Sequence, residues 1–354
     1  MSTLTLLVDG TRYEGWKAVT VTRGIEQLAG AFEVTCADRW AIAKPAQPLP
    51  VLRGKTCTVL IDDQVVITGF IDAAPPRYSA RGHELIVRGR DATGDLVDSS
   101  ATTDGGGWQN RSLKAIATDL CKPFGIRVSV DAAVARDAAQ PFLYQHLQLG
   151  ETCQAALTRL ARIRGCLLVS DSAGGLLITR AGSARAATAL VLGENILSAD
   201  AEDSCAERFH SYRVIAQDRQ SDYNDGETAQ QVLGTAIDRD VRAGRLLIID
   251  AQDATDAGGA AQLAAWTSAT RAAAGQRVRY TVRGWLDGAR PWQPNTLVSV
   301  RDPWARFDGD YLIATVTYTL DTQGGEITQL DVVPRDAYKP LKLREVDPAE
   351  AGLQ

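Results

Sequence analysis

The stretch "RGRDATGDL", Arg88–Leu96, follows the strand-like run "HELIV" (83–87), and "LDVVPRDAYKP" (330–340) repeats its Arg-Asp-Ala after a second alternating run. Slid along by 240 residues without a gap, 55–78 falls on 295–318. Thr56 then meets Thr296, Asp62 meets Asp302, Gly69 meets Gly309, Ala74 meets Ala314 and Tyr78 meets Tyr318. With five residues added for a longer hairpin, Leu85, Val87, Arg90, Asp91 and Ala92 fall on Leu330, Val332, Arg335, Asp336 and Ala337. The inward and outward faces of the strands are expected to stay in register across the match, since a one-residue slip reverses every face. The repeat therefore predicts a duplicated β-domain, with a chance likeness of ordinary strands as the alternative.

Around this repeat the chain reads as an ordinary globular protein. It has 354 residues, 45% hydrophobic and 23% charged, enough for two or three domains. A net charge of −5 argues against a dedicated nucleic-acid or anionic-membrane binder. The six cysteines stand at 36, 57, 121, 153, 166 and 205, in no metal-ligand spacing. They read as small buried apolar residues of a protein made in a reducing cytoplasm, with a disulfide framework as the alternative. "MSTLTLLVDG" lacks the positive start of a signal peptide, and no apolar run reaches the ~20 residues of a membrane helix.

The first hundred residues predict strands. "TLTLLVDG", "KAVTVTRG", "AFEVTCA" and "HELIVRGRD" are short and β-rich, and "TCTVLIDDQVVITGFID" is a hairpin with Cys57, Val59 and Ile61 on one face. "KPAQPLP" (44–50) interrupts them, because prolines cannot sit inside a sheet. Periodicity changes after "TTDGGGWQN". Leu113, Ile116, Ala117 and Leu120 form a helical stripe, capped by Asn110 or Ser112 and ended by Pro123 and Gly125. A second helix carries Cys153, Ala156, Leu157, Leu160 and Ala161 inward and stops at Gly165. "CLLVSDSAGGLLITR" is a hairpin, and strands return from Arg208 around an Ala-rich helix. The fold class is mainly β with an α+β insertion: two similar β-barrel domains plus a small α+β domain. The boundaries are 1–104 for the first barrel, with 183–204 as candidate completion, and 105–182 for the insertion. The second barrel takes 205–340, with its helix near 258–274, and 341–354 is a tail. Two such modules per chain would let three chains present six quasi-equivalent surfaces.

The stretches "GRDATGDLVDSS" (89–100), "SLKAIATDLCKPFGIRV" (112–128), "GETCQAALTRLARIRGCLLVSDSAGGLLITRAG" (150–182) and "GWLDGARPWQPNTLVSVRDP" (284–303) carry a resemblance. Together with "FDGDYLIATVTYTLDTQGGEITQLDVVPRDAY" (307–338), they are similar to phage tail baseplate hubs of the Mu-like and late control protein D kind. The likeness spans nearly the whole chain in order. It implies a homotrimer whose two barrels per chain form a pseudo-hexameric ring between a six-fold tail tube and a three-fold central spike. Its implied partners are further copies of itself, the spike, the tube or a tube initiator, and other baseplate proteins. Stable nucleic-acid or membrane binding is not implied. In type VI secretion relatives the hub is fused to its spike; here the spike is expected to be a separate protein. The implied location is the baseplate of a virion tail.

Enzymatic readings are weaker. His83 and Glu84 begin like HExxH, but Val87 replaces the second His and the stretch reads as a strand. His146 and His210 could each meet a cysteine in space, yet nothing places them together. "DGGGWQN" lacks the Lys-Ser/Thr ending of a P-loop and reads as a linker, and "DYNDGE" (222–227) misplaces the glycine of a calcium loop. No catalytic residue, metal site or cofactor is expected. Arg90-Asp91 and Arg335-Asp336 read as structural, the Asp accepting turn N–H groups and the Arg reaching a carboxylate. Trp108, Trp285, Trp292 and Trp304 stand beside Gly, Pro or Asp and are candidates for a subunit interface, with core packing as the alternative. The rival functions are a tail-associated cell-wall hydrolase and a glycan-binding module.

Overall fold

The structure, a computed structural model, describes residues 2–37, 53–79, 82–103, 105–182, 184–217, 231–251, 257–321 and 325–338. The expected proline-rich interruption 44–50, the polar stretch 218–227 and the tail 341–354 lie outside the described residues. The chain divides into two compact units. One holds Met1–Arg162, Cys166–Asp200 and Val278–Val332; the other holds Ile163–Gly165, Ala201–Arg277 and Val333–Gln354.

The protein is mainly β, as its sequence predicts. Its first strands are β1 Leu4–Val8, β2 Thr11–Tyr13, β3 Ala18–Gly24, β4 Ala31–Ala37, β5 Thr56–Ile61, β6 Gln64–Ala73, β7 Pro76–Ser79 and β8 Gly82–Asp91, followed by the short helix α1 Gly94–Asp98. Cys57, Val59 and Ile61 alternate inward on β5. Asp62 and Asp63, at φ 47° and 62°, turn β5 into β6 in two residues. Two successive positive φ values match the right-handed strand twist, and Asp tolerates them better than most side chains.

The inserted segment contains β9 Gly107–Ser112, α2 Leu113–Cys121, β10 Val128–Val130, α3 Ala135–Ala139, β11 Pro141–His146, α4 Cys153–Ile163, β12 Leu167–Ser170 and β13 Leu176–Thr179. The Ser112 hydroxyl accepts the Ala115 N–H at the start of α2. This helix buries Leu113, Ile116, Ala117 and Leu120, and a turn through Pro123 ends at Gly125, φ 68°. Helix α4 buries Cys153, Ala156, Leu157, Leu160 and Ala161. β10 pairs parallel with β13, which forms a hairpin with β12, while β9 and β11 make a separate antiparallel pair. Trp108, expected in a linker, therefore stands in a strand.

Beyond the insertion come β14 Ala184–Arg185, β15 Leu190–Val191, β16 Ile196–Asp203, β17 Ser211–Gln217, β18 Gln231–Ile237, β19 Leu246–Ala251 and α5 Ala257–Ala274. Then follow β20 Gln276–Arg283, β21 Leu286–Asp287, β22 Arg290–Pro291, β23 Thr296–Asp302, β24 Phe307–Asp321 and β25 Gly325–Val333. β14 and β15, within the segment 183–204, pair parallel with β23.

Two three-strand meanders stand out, β5-β6-β8 and β23-β24-β25, in line with the repeat. They belong to one 15-stranded sheet in which β24 pairs with β3, β3 with β4, β4 with β8 and β8 with β6. Each of those four steps is antiparallel, so β24 and β6 run in the same direction. One core serves both meanders: Leu6, Val21, Val34, Val59 and Ile67 cluster with Tyr280, Val298, Val316, Tyr318 and Leu330. Burying each such side chain contributes roughly 1.5–3 kcal/mol, which is why the β-branched alternation dictates the sheet.

The residue-level match is corrected by the strand faces. β5 buries Cys57, Val59 and Ile61, whereas β23 buries Val298, Val300 and Asp302. Cys57 thus corresponds to Val298 and not to Leu297, one residue along, which is the slip that the ungapped match assumed absent. The cause is the connection. β5 closes on the pair Ile61 and Gln64, but β23 closes on Asp302 and Phe307, with four residues between. On the third strand the match keeps phase, with Val87 and Val332 both buried.

In the second unit β17 lies between β18 and β19, and α5 covers one face, packing its Ala260 and Ala264 with Tyr212 and Val214 of β17. The helix crosses closely because position 234 is glycine: a Cβ there would come within 2.0 Å of the Ala260 backbone.

Candidate assembly surface

The Arg-Asp-Ala copies occupy different settings. Asp91 ends β8 and is buried; one carboxylate oxygen accepts the Gly30 N–H at 2.6 Å and the other accepts the Thr93 N–H at 3.1 Å. The Thr93 hydroxyl lies within hydrogen-bond reach of the same carboxylate and of the Leu28 carbonyl. Burial pushes the Asp91 carboxyl above its ordinary range, against relief from Thr93, Gly30, Ser170 and Arg23. Arg90 reaches Asp72 at 2.9 Å and Asp98 at 2.6 Å, and Ala92 donates its N–H to the Thr68 carbonyl. The node thereby ties the β3–β4 connection and α1 to the sheet. Arg335, Asp336 and Ala337, by contrast, form a single 3-10 turn against α5, with Arg335 and Asp336 exposed. The shared letters do not make a shared site.

The four tryptophans separate just as clearly. Trp108 is buried and donates to Asp119 at 3.1 Å. Trp285 and Trp292 flank the β21–β22 hairpin, and both indoles are buried. Trp285 donates to the Thr319 carbonyl at 3.0 Å and meets Tyr318 edge to face, while the Tyr318 hydroxyl donates to the Trp292 carbonyl. All three indoles are buried within the chain, the setting of the core-packing alternative. Gly and Pro beside them mark a tight turn, but the turn folds the bulky rings inward. Trp304 is 90% exposed.

Trp304 is displayed on the β23–β24 connection by a fixed support. Asp302 is buried, one of its carboxylate oxygens accepts both the Trp304 and Ala305 N–H groups at 3.1 Å, and the other accepts the Tyr280 hydroxyl at 3.1 Å. Desolvation and this carboxylate push the Tyr280 phenol upward, so the hydroxyl keeps its proton. Arg306, φ 60°, completes the turn and is exposed.

Two further apolar surfaces were not legible in the sequence. Leu143 and Tyr144 on β11 and Leu149 beyond it are exposed, as are Ile237, Leu246 and Ile248 on β18 and β19. Leu247 and Ile249 pack under α5, so alternation turns Ile248 outward. An alternating run reveals that one face is inward, but not that the other carries exposed apolar side chains as well.

Chemical groups weighed from the sequence have ordinary settings. The His210 Nδ1 lies 3.1 and 3.0 Å from the Asp238 and Val241 carbonyls, a position for a donated ring proton. His146 lies in β11 beside Tyr144, and His83 lies in β8. No disulfide joins the cysteines among the described residues; burial pushes the Cys57 and Cys121 thiols up to about 12, which suppresses thiolate chemistry.

Comparisons with known proteins agree with this arrangement. Residues 3–91 match the family described as Mu phage baseplate assembly protein GpP-like, N-terminal; residues 93–180 match baseplate hub protein gp44-like, second domain; and residues 257–341 match Mu phage baseplate assembly protein GpP, fourth domain. The chain is 36% identical to the baseplate hub protein gp44 of Escherichia phage Mu over 345 residues, 95% of this chain and 89% of that protein. The crystal structure of the 43 kDa tail protein of prophage MuSo2 from Shewanella oneidensis superposes with a TM-score of 0.84 at 33% identity, covering 95% of this chain and 99% of the other. A tail protein from Neisseria meningitidis MC58 shares the fold, with a TM-score of 0.81 at 23% identity over 96% and 98% of the two chains.

Proposed function

Because the chain belongs to the Mu phage baseplate hub family, a family of structural tail proteins, we propose that it acts as a homotrimeric ring adapting a six-fold tail tube to a three-fold central spike. The observation that carries this reading is the pair of like-directed meanders within one chain. Three chains then offer six similar modules to a six-fold neighbour while retaining a true three-fold axis. The work is geometric: the ring matches symmetries, holds the spike before sheath contraction and leaves a bore. Its partners are its own copies, the spike, the tube or its initiator, and neighbouring baseplate proteins. The role needs no catalytic residue or cofactor, and the reading places the chain in the virion tail.

Light-scattering mass of the purified protein tests the proposal. Three times the 38.0 kDa of one chain is the expected mass. Electron-microscope end views should show a ring with three strong and three weaker features, and a monomer at every micromolar concentration tried would overturn the reading.

A further inference from the structure

The adaptor reading can be deepened to say which partner one end of the sheet meets. The two meanders place their first hairpin turns at that same end: β5 and β23 run toward it and β6 and β24 run away, by the antiparallel steps that link them. The two tips are chemically unlike. The first is Asp62-Asp63, with both side chains exposed and Asp63 paired to Arg12 at 2.8 Å. The second is Pro303–Arg306, where Trp304 stands 90% exposed on the backbone clamp of the buried Asp302 and Arg306 stands exposed beside it.

In a ring of three chains these tips alternate, three acidic and three carrying an indole. A six-fold partner repeats one recess six times. Three of its recesses would receive indoles and three would receive carboxylates, and dry burial of a carboxylate is costly. A three-fold partner has no such conflict. We propose that the Trp304 tip is the anchor for the three-fold partner, the central spike, through an apolar recess rimmed by carboxylates that face Arg306. An indole held on a turn already fixed by Asp302 loses little freedom on docking, which is the character of an interface hot spot.

The inference rests on the adaptor reading, and one experiment separates their failures. Full-length protein, wild type and Trp304→Ala, is measured by interferometry against the purified spike protein and the purified tube protein of the same tail, with light scattering alongside. The expected result is a loss of spike affinity of ten-fold or more, tube affinity within two-fold, and an unchanged three-chain mass. Arg306→Gly, which suits the positive φ, should weaken spike binding less. Loss of tube binding with the spike unaffected, loss of both, or no change in either overturns the anchor. A fall in mass on Trp304→Ala makes the tip a contact between copies and also overturns it. Wild-type protein that is not a trimer overturns the adaptor reading itself.

Discussion

Asp91 illustrates how a single residue can be structural and still titrate. Its carboxylate receives the N–H groups of Gly30 and Thr93 in a buried setting. Asp91→Ala would orphan both donors, at about 1–3 kcal/mol each, and should lower the urea midpoint accordingly. The pH dependence has the opposite sign to the usual acidic residue. Because burial raises the folded carboxyl, the folded state holds its proton more tightly than the unfolded chain. Its contribution is full below the unfolded value of about 4 and is lost as pH rises through the higher folded value. Asp91→Asn, which retains an acceptor oxygen, should flatten that part of the stability profile, which begins above the unfolded value of about pH 4. A parent and variant with parallel profiles would count against it. Tryptophans make a second contrast at this scale. Trp285→Ala and Trp292→Ala should each cost about 3–5 kcal/mol in chemical denaturation, because both rings are core. Trp304→Ala should leave the unfolding midpoint unchanged.

Elements show why some of the fold was legible and some was not. Helix α2 announces itself through a capping serine, an inward stripe and a Pro-Gly stop, all local signals. Ser112→Ala should cost about 1 kcal/mol by removing the acceptor for the Ala115 N–H, measurable by thermal unfolding. The β5–β6 hairpin was equally readable, and its strain is open to test. Asp63 holds φ 62°, so Asp63→Gly should stabilise by about 0.5–1 kcal/mol, since its exposed ion pair with Arg12 contributes little. Destabilisation would mean that the ion pair outweighs the backbone. Pairings between distant strands left no local mark. Nothing within "ARAATALVLG" (184–193) says that β14 and β15 join β23, and nothing near Trp285 says that its hairpin folds inward. The repeat was seen in the right strands but one residue out of phase, because identical letters such as Asp62 and Asp302 were aligned across turns of different length. Asp62 is an exposed turn residue; Asp302 is a buried support.

At the scale of the whole molecule the duplication poses a question of independence. A chain made of two self-sufficient barrels would let its first portion fold alone. Here the core around Val21, Val59 and Ile67 is continuous with Tyr280, Val298, Tyr318 and Leu330, and β3 has β24 as its neighbour on one side. A fragment ending at residue 204 would strip nearly half of the side chains from that core and leave β3 as an open edge with unpaired N–H and C=O groups. Side chains such as Val21 and Phe32 would then face water, each forfeiting roughly 1.5–3 kcal/mol, and a net stability of about 5–15 kcal/mol cannot absorb several such losses. The fragment 1–204 is therefore expected to show no cooperative unfolding transition and little amide-proton dispersion. Mixing it with residues 205–354 should restore both, because the missing strands return to one shared core. A cooperatively folded 1–204 fragment would mean that the first meander carries its own core, and the proposed ring would then contain six independent modules in place of three continuous ones.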